Sequence, residues 1–259
     1  KKNVQKCCWD GEWFIRAIGN GGKKIGSKEN KSGKIFLNSQ AWAVISKVAE
    51  EEKLRAALDS VKKYLDSEFG PKICSPAYQE IDPNIGLVTR CVPGKKENAG
   101  VFCHPTTWLI QAECMLGRGN RAYQYFKKML PNRVDSDIFT AEPYVYSQYI
   151  TSDANDEPGK ASHSWQTGTA VWMYRVSIDY ILGVRAQYSG LKIDPAIPSK
   201  WDQVKFDRFF RDTLYKIEIE NPDGVEKGVK EIYIDDQKIE GNILPLQDKK
   251  EVEVKVIMG

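Results

Sequence analysis

The sequence predicts a mainly α chain, part of an α/α barrel, that ends in a small antiparallel β region. Two observations carry this. Apolar residues recur at helical spacing through the first two thirds of the chain. They are interrupted by long irregular segments, as expected where paired helices ring a cleft and loops build its site. After Leu191 the period changes to two, the mark of half-buried strands. A boundary is therefore expected near residue 200, dividing the chain into 1–200 and 201–259.

Residues 1–37 are glycine-rich and polar with short aromatic stretches, and read as a loop or hairpin. Ser39 is placed to cap a helix that turns Ala41, Trp42, Val44, Ile45, Val48 and Ala49 inward. Glu50-Glu51-Glu52 puts negative charge in the first turn of a second helix, where the helix dipole favours it. Leu54, Ala57, Leu58, Val61 and Leu65 give that helix an apolar face, and Gly70-Pro71 ends it. Residues 71–104 lack a period, yet their apolar and aromatic content argues against disorder, so a functional loop is expected. A helix pair follows, near 106–116 closed by Gly117 and near 120–130 closed by Pro131. Residues 131–165 are again irregular, and a helix opens after Gly168 and runs to Gly183. In the tail, Tyr215, Ile217 and Ile219 alternate with Lys216, Glu218 and Glu220. Val252, Val254 and Val256 alternate with Glu251, Glu253 and Lys255, and Ile232 and Ile234 lie on a third run.

Composition excludes several classes. Hydrophobic residues at 41% allow a sizeable core, and a net charge of +3 sets up no concentrated field. The basic pairs Lys62-Lys63 and Lys127-Lys128 fall within helical patterns as solvated faces, so nucleic acid is not an expected partner. Six cysteines without a Cys-x-x-Cys spacing and only two histidines, His104 and His163, make a zinc site unexpected, and no cofactor is predicted. Scattered single cysteines and no signal peptide fit reduced thiols in a cytoplasmic protein. No apolar run approaches the ~18 residues that span a bilayer, so no membrane partner is expected. The opening Lys1-Lys2-Asn3-Val4-Gln5-Lys6 reads as the continuation of a longer chain, a fragment or a processed product.

Two segments concentrate the chemistry. One is Pro93-Gly94-Lys95-Lys96-Glu97-Asn98-Ala99-Gly100-Val101-Phe102-Cys103-His104. The other is Ser164-Trp165-Gln166-Thr167-Gly168-Thr169-Ala170. Each joins small residues, which let backbone approach a ligand, to polar groups suited to an anion or a sugar. A threonine and glycine at a helix N-terminus offer free N–H groups and the positive end of the dipole.

With Trp9-Asp10-Gly11-Glu12-Trp13, Ile25-Gly26-Ser27-Lys28-Glu29-Asn30, Phe36-Leu37-Asn38-Ser39-Gln40-Ala41-Trp42, Ala141-Glu142-Pro143-Tyr144 and Leu191-Lys192-Ile193-Asp194-Pro195, these segments resemble the cellobiose phosphorylase family of inverting glycoside phosphorylases. The resemblance covers nearly the whole chain but only the C-terminal part of the family's protein. It implies a six-hairpin α/α barrel followed by a β-sandwich tail. It also implies phosphorolysis of a β-linked glucoside such as cellobiose, with inversion, to α-glucose 1-phosphate and a shorter sugar.

In such a displacement phosphate attacks the anomeric carbon while a carboxylic acid protonates the departing oxygen. Phosphate is already an anion, so the activating base of an inverting hydrolase is not needed. What is needed is a pocket that holds a dianion against the sugar. The resemblance assigns phosphate to His104, Gln148, Thr167 and Gly168, and sugar hydroxyls to Lys96 and Glu97. Taken alone, His104 reads as a structural histidine, Gln148 as a surface residue and Thr167-Gly168 as a helix cap. Lys96 fits a solvent-facing lysine equally well, and Glu142 reads as a carboxylate holding loop backbone. His163 reads as loop support, and most of the tryptophans as core.

The family's general acid lies in a Trp-Asn-Asp-like segment upstream of Trp9, and no such segment occurs here. No catalytic residue is assigned, the acid being expected before Lys1. The expected partners are a β-glucoside, phosphate, the N-terminal portion of the same enzyme and a second copy in a homodimer. Acceptor choice is expected to depend on the loop from Ser75 to Val92. Two other readings are an inverting α/α-barrel hydrolase, which requires a second carboxylate, and a non-catalytic carbohydrate-binding fragment.

Overall fold

Leu37, Ala41 and Val44 of one helix and Leu54, Ala57, Leu58 and Val61 of the next are all buried, and this pair forms the first part of the core. The computed structural model describes residues 1–259. The chain divides into two compact units, Lys1–Ala112 with Gln124–Met173 and Glu113–Tyr123 with Tyr174–Gly259. Seven helices are present: α1 (Lys2–Cys8), α2 (Leu37–Ile45), α3 (Glu51–Tyr64), α4 (Cys103–Met115), α5 (Gly119–Lys128), α6 (Ser136–Phe139) and α7 (Thr169–Val176).

In the first unit, α2 begins three residues earlier than a Ser39 cap would place it, directly off the strand Ile35–Phe36. The buried Gln40 takes over the anchoring. Its carboxamide accepts from Phe14 N at 2.8 Å and donates to Phe14 O and Phe36 O, each at 2.9 Å. The α3 helix starts at Glu51 and carries Glu51 and Glu52 in its first turn, as the charge pattern predicts. The Trp-Asp-Gly-Glu-Trp motif is architectural. Asp10 accepts from Ser27 Oγ at 3.0 Å and Lys28 N at 2.7 Å, and the Trp13 indole donates to Gly26 O at 2.9 Å and Lys34 O at 3.0 Å.

The segments read as irregular contain short pairings. Ile35–Phe36 pairs with Cys74–Ser75, and Val101–Phe102, Tyr149–Ile150 and Ala161–Ser162 form an antiparallel three-stranded sheet. That sheet positions the candidate site.

The second unit resumes at Tyr174, in the last turn of α7, which runs into a π-helical turn, Ser177–Ile181. It ends at Gly183, whose φ of +70° would strain any other residue and whose added Cβ would lie 2.2 Å from the Asp194 carbonyl carbon. Val184–Gln187, Gly190–Ile193 and Ile243–Pro245 form one sheet. The other has five strands in the order Gln203–Phe210, Thr213–Glu220, Glu251–Ile257, Glu231–Ile234, Gln237–Ile239. Tyr215, Ile217, Ile219, Ile232, Val252, Val254 and Val256 are buried on it, as the alternation predicts.

The architecture departs from the sequence-based expectation of a mainly α barrel fragment with a small antiparallel sandwich. The chain is about 31% helical and 23% strand, with five sheets, and is a mixed α and β structure. Two physical reasons account for the error. A two-residue strand has no alternation to detect, so three of the sheets were invisible as periodicity. In the tail, Thr213–Glu220 pairs in parallel with Glu251–Ile257 while its other neighbour is antiparallel, so the sheet is mixed. Pairing direction is a tertiary choice that strand patterns do not encode.

Candidate functional site

Three backbone joints gather the sequence-predicted phosphate residues at one end of the three-stranded sheet. Strand Val101–Phe102 runs without a linker into α4, so His104 stands on its first turn. Cys103 N donates to Gln148 O at 3.0 Å, which sets Gln148 beside that turn just ahead of strand Tyr149–Ile150. Gln148 N in turn lies 3.2 Å from both Ser162 O and His163 O, at the end of the third strand. The chain then turns through Ser164 to Gly168 and enters α7.

The side chains complete the cluster. The Gln148 carboxamide donates to Gln166 O at 3.2 Å, tying the turn to the sheet. Gly168 faces the His104 ring so closely that an added Cβ would lie 3.1 Å from Cε1 and 3.3 Å from Nδ1. That ring packs against Trp108 one helical turn on, with centroids 5.0 Å apart, and against Trp172 at 5.7 Å. Trp108 also meets Trp42 edge-on at 5.5 Å. His104 Nε2 and Trp108 Nε1 are both buried without a hydrogen-bond partner in the protein. Burial lowers the His104 pKa below its ordinary 6.5, so at neutral pH the ring is an uncharged imidazole with one N–H to offer. Buried polar atoms are ordinarily paired, so two orphans on neighbouring rings are an exception in this fold.

Thr167 serves the cap that its position suggests. Its Oγ1 accepts from Thr169 N at 3.2 Å and lies 2.6 Å from Thr169 Oγ1. Capping and anion binding are compatible, because the N–H groups that follow remain directed along the helix axis.

Lys96 and Glu97 sit on a separate turn, ahead of Val101. Lys96 holds φ at +48°, and Gly100 packs on its backbone, where an added Cβ would be 2.7 Å from Lys96 N. Glu97 is exposed and accepts from the Cys91 thiol at 3.6 Å. The contacts of this turn run to Cys91, Cys74 and Tyr78 rather than to the His104 cluster. Sequence reasoning missed its organiser, Asn98. That side chain is fully buried, accepts from Tyr78 N, and donates to Tyr78 O and Cys91 O, all at 2.8 Å. An asparagine within a Gly- and Ala-rich turn was the available signal.

His163 is exposed, its Nδ1 2.8 Å from Ser162 Oγ, consistent with loop support. The Glu142 carboxyl is held below its usual value by its own backbone N–H and then by the Ser164 and Trp165 side chains. Its setting is that of a carboxylate bracing the turn. Asp82, Asp135 and Asp153 are engaged with Asn84, Asp137 N and Lys72 respectively.

The catalytic-domain model of the glycosyl hydrolase 94 superfamily matches residues 1–183. The chain is 38% identical over 266 residues to an N,N'-diacetylchitobiose phosphorylase of Vibrio proteolyticus, covering 99% of this chain and 33% of that protein. It is likewise 38% identical over 248 residues to a solabiose phosphorylase of Paenibacillus borealis, covering 95% of this chain and 32% of that one. Among solved structures, a family GH92 α-mannosidase of Bacteroides thetaiotaomicron aligns over 98% of this chain and 29% of that one, with 12% identity and a TM-score of 0.36. That likeness is too slight to bear on fold or function. The chain spans about a third of the length of the curated relatives it matches.

Proposed function

The chain belongs to the glycosyl hydrolase 94 superfamily, and from that premise we propose that it is the phosphate-holding part of an inverting disaccharide phosphorylase. The reaction is attack of inorganic phosphate on the anomeric carbon of a β-linked glucoside. It forms the C–O bond of α-glucose 1-phosphate as the bond to the departing sugar breaks. The proposed substrate is a β-linked disaccharide such as cellobiose.

The observation that carries this reading is the orphaned His104 Nε2, set against Gly168 at the start of α7. A neutral imidazole and backbone N–H groups bind an anion by donating hydrogen bonds without neutralising it, so the phosphate keeps its nucleophilic charge. In this reading His104 and the Gly168 N–H hold phosphate oxygens, Thr167 offers its hydroxyl, and Gln148 fixes the turn and presents its amide. Lys96 and Glu97 contact sugar hydroxyls. Phosphate is the only small co-reactant, and no cofactor is used. The acid that protonates the departing oxygen is supplied by an N-terminal portion of the enzyme. A cytoplasmic homodimer is the proposed setting, and no helix of the chain is long and apolar enough to cross a membrane.

The test is release of α-glucose 1-phosphate from cellobiose and phosphate, by this chain alone and with the N-terminal portion added. Product only in the mixture is expected, and its loss on His104→Ala should be at least about 100-fold, as for removal of a preorganised donor to developing charge. Product from the chain alone would contradict the assignment of the acid elsewhere. A mixture that turns over glucosides without phosphate would contradict phosphorolysis.

A further inference from the structure

Trp165 occupies the turn between Gln148 and α7, and nothing in the anion cluster uses it. Its indole is among the largest apolar surfaces a side chain can bury, yet it is 72% exposed. Its backbone holds φ at +68°, a region that penalises bulky residues, and His163 two positions earlier holds +56°. Two left-handed residues in three positions make a tight turn that pushes the ring outward. The surroundings fix that turn from both ends. Gln148 binds the carbonyl of Gln166 at 3.2 Å, and Thr167 is locked to Thr169. The Glu142 carboxylate stands against Ser164 and the Trp165 side chain. Neither burial nor backbone preference explains a tryptophan here, and residues strained in this way cluster at ligand sites.

We propose that the exposed face of Trp165 is a stacking platform for a pyranose ring of the disaccharide. The inference rests on the phosphorylase reading, which brings a sugar to the neighbouring anion site. The chemistry matches on both sides. A β-glucopyranose carries its hydroxyls at the rim and axial C–H groups on both faces, three of them on one, so an aromatic face takes the ring while leaving the hydroxyls hydrated or paired. The platform lies two residues before Thr167 in the chain.

The test uses this chain with cellobiose and inorganic phosphate as separate probes. Saturation-transfer NMR reads the sugar face, calorimetry the phosphate, and thermal unfolding guards against misfolding. Transfer to the axial protons of cellobiose is expected. Trp165→Ala should weaken cellobiose roughly 5- to 10-fold while Trp165→Phe retains most of the affinity, and phosphate affinity should be unchanged in both. The platform is overturned if cellobiose gives no transfer, or if Trp165→Ala binds it as well as the parent chain does. Equal loss in the Phe and Ala variants would also overturn it. So would loss of phosphate binding by Trp165→Ala at an unchanged unfolding midpoint, since Trp165 would then belong to the anion turn. Absent phosphate binding with Trp165-dependent sugar contact intact would sink the phosphate reading and leave the platform standing.

Discussion

His104 is enclosed by Trp108, Trp172 and Gly168, and its burial has a consequence for stability as a function of pH. Its pKa is lower in the folded chain than the ordinary 6.5 of an unfolded one, so the unfolded state binds the proton more readily. Stability from this group is therefore complete above about pH 6.5 and falls as pH drops from there toward the folded value. Denaturant unfolding of the parent chain between pH 5 and 7.5 should show that slope, and His104→Gln should flatten it. An equal slope in both would assign it to other groups. Gly168→Ala tests the same contact from the other side. A methyl 3.1 Å from Cε1 must displace the ring, so phosphate affinity should fall with little change in the unfolding midpoint. Wild-type phosphate affinity in that variant would mean the close approach is incidental. At this scale the site was legible only through family resemblance. His104, Gln148 and Thr167 each have a bland reading on chemistry alone, and it is three-dimensional contact that joins them. Asn98 and Gln40 went unread because a buried amide is chosen by backbone groups distant in sequence.

At the scale of elements, the helical stretches were the most legible. Leu54, Ala57, Leu58 and Val61 repeat over enough turns to fix α3, and the tail strands are long enough for Tyr215, Ile217 and Ile219 to show their alternation. The two-residue strands that set the site offered no such run. They are specified by their partners, and the turns between them rest on side-chain anchors. Gln40→Leu should thus cost about 1–3 kcal/mol, because it removes the carboxamide that pairs with Phe14 N–H and with the Phe14 and Phe36 carbonyls. Chemical denaturation measures this, and a neutral effect would show that water reaches those groups. In the five-stranded sheet, Ile217 lies opposite Val254 across the parallel pairing and Phe206 across the antiparallel one. Ile217→Ala should lower stability by about 2–5 kcal/mol with the midpoint shift of a core truncation. A loss under about 0.5 kcal/mol would indicate that this sheet is not part of the cooperative core.

For the whole molecule, composition identified a well-cored chain without membrane helices, and overestimated its helical character because so much of its strand is short. The family match, residues 1–183, includes every residue assigned to phosphate or sugar. The central claim is that Thr167 and Gly168 at the start of α7 and the His104 ring together hold phosphate. Calorimetric titration of inorganic phosphate into this chain, beside His104→Ala and Gly168→Ala, tests it most directly. Saturable one-site binding by the parent chain, weakened roughly tenfold or more in both variants at unchanged unfolding midpoints, is the predicted result. Binding that survives both substitutions, or no binding by the parent chain, would contradict it.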